Sequence, residues 1–569
     1  MEATQIPGYR NINSLSLEFL KEDYLLPGQS LDERVNIIME RAQQLGQSKE
    51  KRLKFEKYFR EGYYSLSTPV WTNYGTTRGL PISCFGTYIS DSMESILYGV
   101  GEVGMMSKFG GGTSAFIDVR PRGTAIKDNG TSAGPFGFEK LYDTLSTTVS
   151  QGATRRGALA MYMDLAHPDI MEHLSIREEN NPIQDLSFGV TVSDEWMDAM
   201  INGDKDKRTI WAKVLEVRNN TGYPYIVYSG NANNNTSEVY KQTGHKIKAS
   251  NLCSEIMLPS DDTESFICCL ASMNVLYYEE WKNTDAVEML TWFLDTVITD
   301  FILNLENRIA KLKETSEKFN IPYVSFMERP LRFAKRHRAI GIGVLGLASL
   351  YQSKALAWAD LEASQLNIEI FKTIQEQSRK QSRELAILFG EPEVCKGTGY
   401  RNSCLQAVAP TKSSSFIHGQ VSEGIEPYRT NVYVKDLAKI KIIFRNPYLR
   451  DTLKVYGKDD RETWLNIEAR GGSVQHLEFL TAREKEIFKT FQEINPKVII
   501  SQAAARQQFI DQSQSLNLIL NIKETPIKDI NALMIEAWES GIKSLYYLHN
   551  VNAAQEFARN FAICESCQA

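Results

Sequence analysis

From about residue 60 onward, short β-like runs alternate with helical stretches, and this alternation most restricts what the chain can fold into. Ala115-Phe116-Ile117-Asp118-Val119 and Pro224-Tyr225-Ile226-Val227-Tyr228 are rich in β-branched and aromatic residues and read as strands. Val287 to Ile309 and Leu361 to Phe389 keep a helical pattern over lengths that strands do not reach. Interleaving of this kind predicts an α/β core. Upstream, Leu15, Leu17, Phe19, Leu20, Val35, Ile38 and Met39 recur at helical spacing, so residues 1–60 are expected to form a helical N-terminal region. A main α/β domain is expected over 61–550. Apolar periodicity is lost over 551–569, where a flexible tail is expected.

Composition narrows the function. The 569 residues carry a net charge of -6 and no long basic run, which argues against binding to nucleic acid, because phosphate backbones want clustered Lys and Arg. The densest positive stretch, Leu331 to Arg338, reads as a solvated helix face or a loop near phosphate. Met1 to Asn11 lacks the apolar stretch of a signal peptide, and the most apolar runs, Phe266 to Tyr278 and Ala339 to Tyr351, are too short and polar to span a bilayer. A cytoplasmic protein with reduced thiols is expected, in the host cytoplasm if the source is a virus. The eight cysteines are too sparse for a disulfide framework.

Three motifs carry chemistry. The chain ends Cys564-Glu565-Ser566-Cys567-Gln568-Ala569. Two cysteines at this spacing close a disulfide or supply half a metal site, but no second such pair exists and the nearest histidine, His549, is fifteen residues from Cys564. A dithiol on a flexible arm suits thiol–disulfide exchange with a buried partner. In Asn251-Leu252-Cys253-Ser254-Glu255, an extended backbone would place amide, thiol and acid on one side, whereas a helix starting after Ser250 would leave a plain buried cysteine. Tyr546-Tyr547 reads either as strand packing or, if the chemistry is radical, as a pair of oxidisable phenols.

Together with other motifs in the same order, these resemble the large subunits of class I ribonucleotide reductases from about Ser67 to Cys567. The matching segments are Ser67-Thr68-Pro69 with Ser83-Cys84, Arg120-Pro121-Arg122-Gly123, Asn251 to Glu255, Pro410-Thr411-Lys412-Ser413-Ser414-Ser415, Gly424-Ile425-Glu426-Pro427, Gln514-Ser515-Leu516-Asn517, Tyr546-Tyr547 and the terminal dithiol. The resemblance implies a ten-stranded α/β barrel of two five-stranded halves with a central finger loop. It implies reduction of the ribose 2′-OH of ribonucleoside diphosphates by a thiyl radical. In that scheme Cys253 forms the thiyl radical, Glu255 takes the 3′-OH proton, and Asn251 holds the sugar hydroxyls. Cys84 and Cys268 are the reducing pair, which Cys564 and Cys567 re-reduce. Tyr546 and Tyr547 transfer the radical. Thr68, Ser83, Gly111, Thr411, Ser413, Ser414 and Ser415 contact substrate, the hydroxyl-rich run with the diphosphate at a helix N-terminus.

The resemblance also places nucleoside triphosphate effectors at Asp91, Ser92, Met93, Arg120 and Ile126, with Gln151 to Ala160 relaying their identity. No glycyl-radical motif lies near the C-terminus, and no histidine has a Glu three residues before it, so the Glu-x-x-His motif of di-metal bundles is missing. The expectation is therefore no metal or cofactor bound in this chain, and a radical supplied by a metal-containing small subunit. Thioredoxin or glutaredoxin would serve the tail, and the family assembles as a homodimer. A non-catalytic nucleotide-binding relative is the rival reading.

Three features stand apart. Only 83 residues precede Cys84, little space for the usual ATP-binding cone, so no overall dATP inhibition through a cone is expected. Cys269 beside Cys268 leaves open which sulfur pairs with Cys84; motif register favours Cys268. Gly341-Ile342-Gly343-Val344-Leu345-Gly346 matches a dinucleotide-binding fingerprint, but Arg336-His337-Arg338 makes a poor preceding strand. Packing of a helix on the barrel is the expectation there.

Overall fold

The computed structural model describes residues 4–128, 130–149, 157–437, 440–520 and 525–550. The terminal dithiol Cys564 and Cys567, and residues 151–156 of the relay loop, lie outside them.

The N-terminal region forms helices α1 (Ser14–Asp23), α2 (Leu31–Gly46) and α3 (Lys49–Arg60). Local capping chemistry explains the starts. Asn13 accepts from the Leu15 and Ser16 amides, and Ser30 and Glu33 form a reciprocal capping box. Val35, Ile38, Met39 and Ala42 are the buried stripe of α2. The helix docks on the long helix α4 (Ala286–Phe319), where Gly46 lies under Trp292 and Arg41 pairs with Asp300 at 2.7 Å. A second long helix, α5 (Leu361–Phe389), matches the sequence expectation in both bounds.

Strands β1 (Cys84–Ile89), β2 (Gly112–Ile117), β3 (Leu159–Asp164), β4 (Ser187–Val192) and β5 (Tyr225–Tyr228) pair in parallel in that order. Parallel pairing needs crossovers, and the helices Met93–Lys108 and Phe136–Thr148 supply the first two. The near-continuous burial of these strands follows from being covered on both faces.

The second half starts with β6 (Phe266–Asn274) and β7 (Ile340–Leu345), again parallel. Parallel bridges Ile342↔Gln406 and Val408↔Gln514 extend it through two irregular segments. Then come β8 (Leu518–Leu520) and a last segment holding β9 (Ser544–Leu545) and β10 (Leu548–Asn550), with β10 parallel to β8. The halves join at two antiparallel seams, β1 with β6 and β5 with β9. Two five-stranded halves joined at both seams make the α/β barrel expected from the motifs, and the short strand Tyr64–Leu66 adds to β6 in antiparallel fashion.

The glycine-rich run is not a nucleotide-binding turn. Gly341 and Gly343 lie inside β7, and only Gly346, at φ +90°, starts the helix Leu347–Ser353. A Cβ on Gly343 would sit 2.7 Å from the Ala407 carbonyl oxygen. The glycines therefore let the 405–408 segment lie against β7, a strand-to-strand approach where helix packing was expected. Gly343→Ala is expected to lower stability by about 1–3 kcal/mol through overpacking against backbone, read as a lower urea midpoint. The basic stretch before it is the helix Glu328–His337, and its Arg332, Arg336 and His337 all pair with the buried Glu264. Among the described residues, no helix is long and apolar enough to cross a membrane.

Candidate active site

Cys253 lies on the irregular segment between the helix Glu238–Thr243 and β6, and every residue from Ala249 to Ser260 is buried. A loop inside a protein must find partners for its backbone groups. Here both halves of the barrel provide them. Tyr162 Oη on β3 donates to the Asn251 carbonyl at 2.7 Å. From the second half, Ser515 Oγ donates to the Cys253 carbonyl at 2.6 Å, Ser544 Oγ to that of Ser254 at 2.6 Å, and the Ser513 amide to that of Glu255 at 2.9 Å. The segment is thus a finger held across the barrel interior. Neither the extended strand nor the helix start considered from the sequence occurs. The Ser254 amide turns back to the Asn251 carbonyl at 3.3 Å, with Ser254 at φ +67°. This turn, rather than strand alternation, brings Asn251, Cys253 and Glu255 to one cavity.

The cavity floor is a reactive cluster. Asn251 Nδ2 lies 3.2 Å from Cys84 Sγ, and Cys84 Sγ lies 4.0 Å from Glu255 Oε1. Ser515 Oγ donates to Glu255 Oε2 at 3.2 Å. Complete burial pushes the Glu255 carboxyl up from 4.5 to about 7, because desolvation penalises the anion more than these donors restore it. A carboxyl tuned there is suited to proton transfer near neutral pH.

Cys84 and Cys268 face each other in register across the β1–β6 seam. Cβ atoms of directly opposed antiparallel residues lie about 4.5–5.5 Å apart, against about 3.5–4.5 Å in a disulfide, so a small closure joins them. Alternation along β6 separates the two neighbouring thiols. Cys268 Sγ accepts from Gln512 Nε2 at 3.8 Å, whereas Cys269 Sγ turns to the Leu294 carbonyl of α4 at 3.6 Å. Burial holds the Cys268 thiol well above its usual pKa, so it is a neutral S–H.

Tyr546 and Tyr547 follow β9 with ring centroids 4.2 Å apart. Both line a second cavity that shares Ala409, Pro410 and Lys412 with the first.

A family model of the ribonucleotide reductase barrel domain matches residues 82–207, 202–395 and 391–548. The chain is 31% identical over 570 residues to the ribonucleoside-diphosphate reductase large subunit of Invertebrate iridescent virus 3, covering 87% of this chain and 86% of that one. This chain belongs to the ribonucleotide reductase large subunits. It is also 28% identical over 577 residues to the ribonucleoside-diphosphate reductase large subunit of Caenorhabditis elegans, across 87% of this chain and 70% of the relative. Among solved structures, the Actinobacillus ureae class Id ribonucleotide reductase alpha subunit superposes with a TM-score of 0.88 at 46% identity, over 97% of this chain and 99% of that one.

Within this ribonucleotide reductase subunit, Thr68, Ser83, Thr411, Ser413 and Ser414 all line the first cavity. Thr411 precedes the short helix Lys412–Ile417, and its Oγ1 accepts from the Gly424 amide at 2.7 Å, tying the serine run to the Gly-Ile-Glu-Pro turn. Two candidates are placed elsewhere. Ser415 donates its hydroxyl to the Val421 carbonyl, and Gly111 packs beneath the Phe85 ring while its neighbour Gly112 lines the cavity. At the candidate effector site, Asp91 binds Arg120 through both backbone amide (3.0 Å) and Nε (2.7 Å). Ser92 caps the helix Met93–Lys108, Met93 is exposed, and Ile126 lies on the small hairpin Ala125–Ile126/Gly130–Thr131.

Several residues escaped the sequence reading, among them Ser65, Ser513, Ser544 and Lys543. Ser65 lines the first cavity with the motif residue Ser67 and the expected substrate contact Ser83, and all three have buried hydroxyls with no partner among the described residues. An orphaned buried hydroxyl costs about 1–3 kcal/mol unless a ligand satisfies it, which marks the wall as a polar binding surface. Ser513 and Ser544 hold the finger, and no local pattern flags a serine for that role. Lys543 is fully buried, with Nζ donating to the carbonyls of Ile510, Asp511 and Gln512 at 3.1, 2.8 and 2.5 Å. It fixes the loop that carries Gln512 and Ser513. Desolvation drops its pKa to about 7.

Proposed function

We propose that this chain is the catalytic subunit of a class I enzyme that reduces ribonucleoside diphosphates, with Cys253 as the thiyl-radical residue and Cys84 and Cys268 as its two-electron reductant. The observation that supports it is the meeting of three elements at one cavity: the Asn251–Cys253–Glu255 turn, Cys84 with Cys268 opposed to it behind the cavity wall, and a set of unpartnered hydroxyls.

The chemistry is consistent with this arrangement. A Cys253 thiyl radical takes the 3′ hydrogen, while Glu255 accepts the 3′-OH proton. The 2′ hydroxyl leaves as water, protonated by a neutral thiol of the reducing pair. Cys84 and Cys268 together supply two electrons and end as a disulfide, and Cys253 returns its hydrogen to C3′. Burial keeps water from quenching the radical. The diphosphate would be held by Thr411, Ser413 and Ser414, and Lys412 lies beside them at the cavity wall. Tyr546 and Tyr547 would bring the radical from a metal-containing small subunit, and the chain would work as a homodimer with triphosphate effectors at Asp91 and Arg120. Re-reduction falls to Cys564 and Cys567, served by thioredoxin or glutaredoxin.

Incubation with CDP and dithiothreitol is expected to yield dCDP only when a radical-bearing small subunit is added. Nucleotide binding without turnover, across small subunits loaded with different metals, would favour the non-catalytic reading.

A further inference from the structure

Tyr546 and Tyr547 do not stand alone. Tyr223 and Tyr225, on the approach to and within β5, complete a buried cluster of four phenols. Tyr225 packs on Tyr546 (4.8 Å between centroids) and on Tyr547 (5.1 Å). Tyr223 meets Tyr547 edge to face at 5.2 Å, and their hydroxyl oxygens lie 3.2 Å apart. The Tyr223 hydroxyl also lies 3.3 Å from Ser187 Oγ. Its ring is stacked on Phe188 and covered by the Arg177 guanidinium, 4.8 Å from the centroid. Backbone carbonyls of Leu186 and Asp185 hold that guanidinium in place.

We infer that Tyr223 is a third relay residue of the radical chain, exchanging a hydrogen atom directly with Tyr547 across their hydroxyl–hydroxyl contact. This rests on the radical reading above and extends it to a residue outside the tyrosine pair. The step balances: a Tyr223 phenoxyl radical and the Tyr547 phenol become the Tyr223 phenol and a Tyr547 phenoxyl radical. One O–H bond breaks, one forms, and no net charge moves. The oxidant that first makes the Tyr223 radical is the radical-bearing small subunit.

The surroundings favour this route over electron loss alone. Removing only an electron from Tyr547 would leave a cationic phenol in a buried cluster, with the fixed positive charge of Arg177 on the adjoining ring, and like charges at low dielectric repel strongly. Burial also holds the Tyr225 phenol far above its usual pKa, so tyrosinate is not an available intermediate there. Transfer of proton and electron together avoids both charged species, and it needs two oxygens in hydrogen-bond contact. Tyr223 and Tyr547 provide them.

The test uses the full chain with its small subunit, CDP and ATP. Replacing Tyr223 or, separately, Tyr547 by 3-aminotyrosine keeps the ring and hydroxyl but lowers the oxidation potential, so a radical that visits the site is trapped and visible by electron paramagnetic resonance. An aminotyrosyl radical is expected at both positions. Tyr223→Phe is expected to cut turnover at least about tenfold while CDP binding is unchanged. A trapped radical at 547 with none at 223, or Tyr223→Phe turnover within about twofold of the parent, overturns the relay and leaves the radical reading standing. No radical at either position overturns both. Because aminotyrosine preserves the phenol, trapping stays decisive even if the phenylalanine variant disturbs packing.

Discussion

Cys253→Ser is expected to lose nucleotide reduction by more than about a thousandfold, equivalent to more than about 4 kcal/mol of transition-state stabilisation. Serine matches cysteine in shape, and the finger turn is held through the carbonyls of Asn251, Cys253, Ser254 and Glu255 rather than through the thiol. The variant should therefore fold and bind CDP like the parent. What it lacks is a sulfur: a hydroxyl holds its hydrogen too strongly for a phenoxyl radical to remove, so the 3′ hydrogen is never abstracted. Single-turnover dCDP formation, set beside CDP affinity, separates the two effects. Full turnover by Cys253→Ser would sink the mechanism as drawn.

Glu255→Gln should show a second large effect, and one of opposite sign on activity and stability. As the base for the 3′-OH proton, Glu255 must be ionised, so parent turnover should rise with pH through about 7. The glutamine variant should be slower by about 10²–10⁴-fold, the usual yield of general base catalysis, and should lose that pH step. Stability runs the other way. A carboxyl whose pKa is raised by folding favours the native state below its unfolded pKa and loses that contribution as pH climbs through its folded pKa. The rise from 4.5 to about 7 corresponds to roughly 3 kcal/mol at about 1.36 kcal/mol per unit. At pH 8 the variant should therefore be more stable than the parent, by an amount of that order, and the difference should vanish near pH 4. Urea midpoints across this range measure it. A variant no more stable at pH 8 than at pH 4, relative to the parent, would show that burial does not strain this carboxylate.

The finger turn is stabilised by contacts made far along the chain, so it carries a strained acid where local structure alone could not hold one. Ser515 lies 260 residues from Glu255, and Tyr162 lies 89 from Asn251. The same separation explains why Ser513, Ser544 and Lys543 went unnoticed in the sequence. Each is an ordinary residue type whose role exists only once the two barrel halves have closed around the loop.

What the sequence determined by itself is the class of fold and the chemical parts. Long helices and short apolar strands are written in local periodicity, because amphipathic spacing is a property of neighbours; α5 keeps its expected bounds, while α4 starts where expected and runs ten residues past Ile309 to Phe319. The order of Cys84, Asn251, Cys253, Glu255, Cys268 and the Tyr546-Tyr547 pair was equally legible, since motif order needs no geometry. Tertiary structure alone decided how those parts meet. It set the register that opposes Cys84 to Cys268, and with it the alternation that turns Cys269 toward α4. It replaced strand alternation with a turn at Ser254 and brought Tyr223 against Tyr547, 324 residues away. The physical reason is the same in each case: pairing register and hydroxyl contacts across a barrel are set when distant strands close, and no local pattern encodes which partner a side chain will meet.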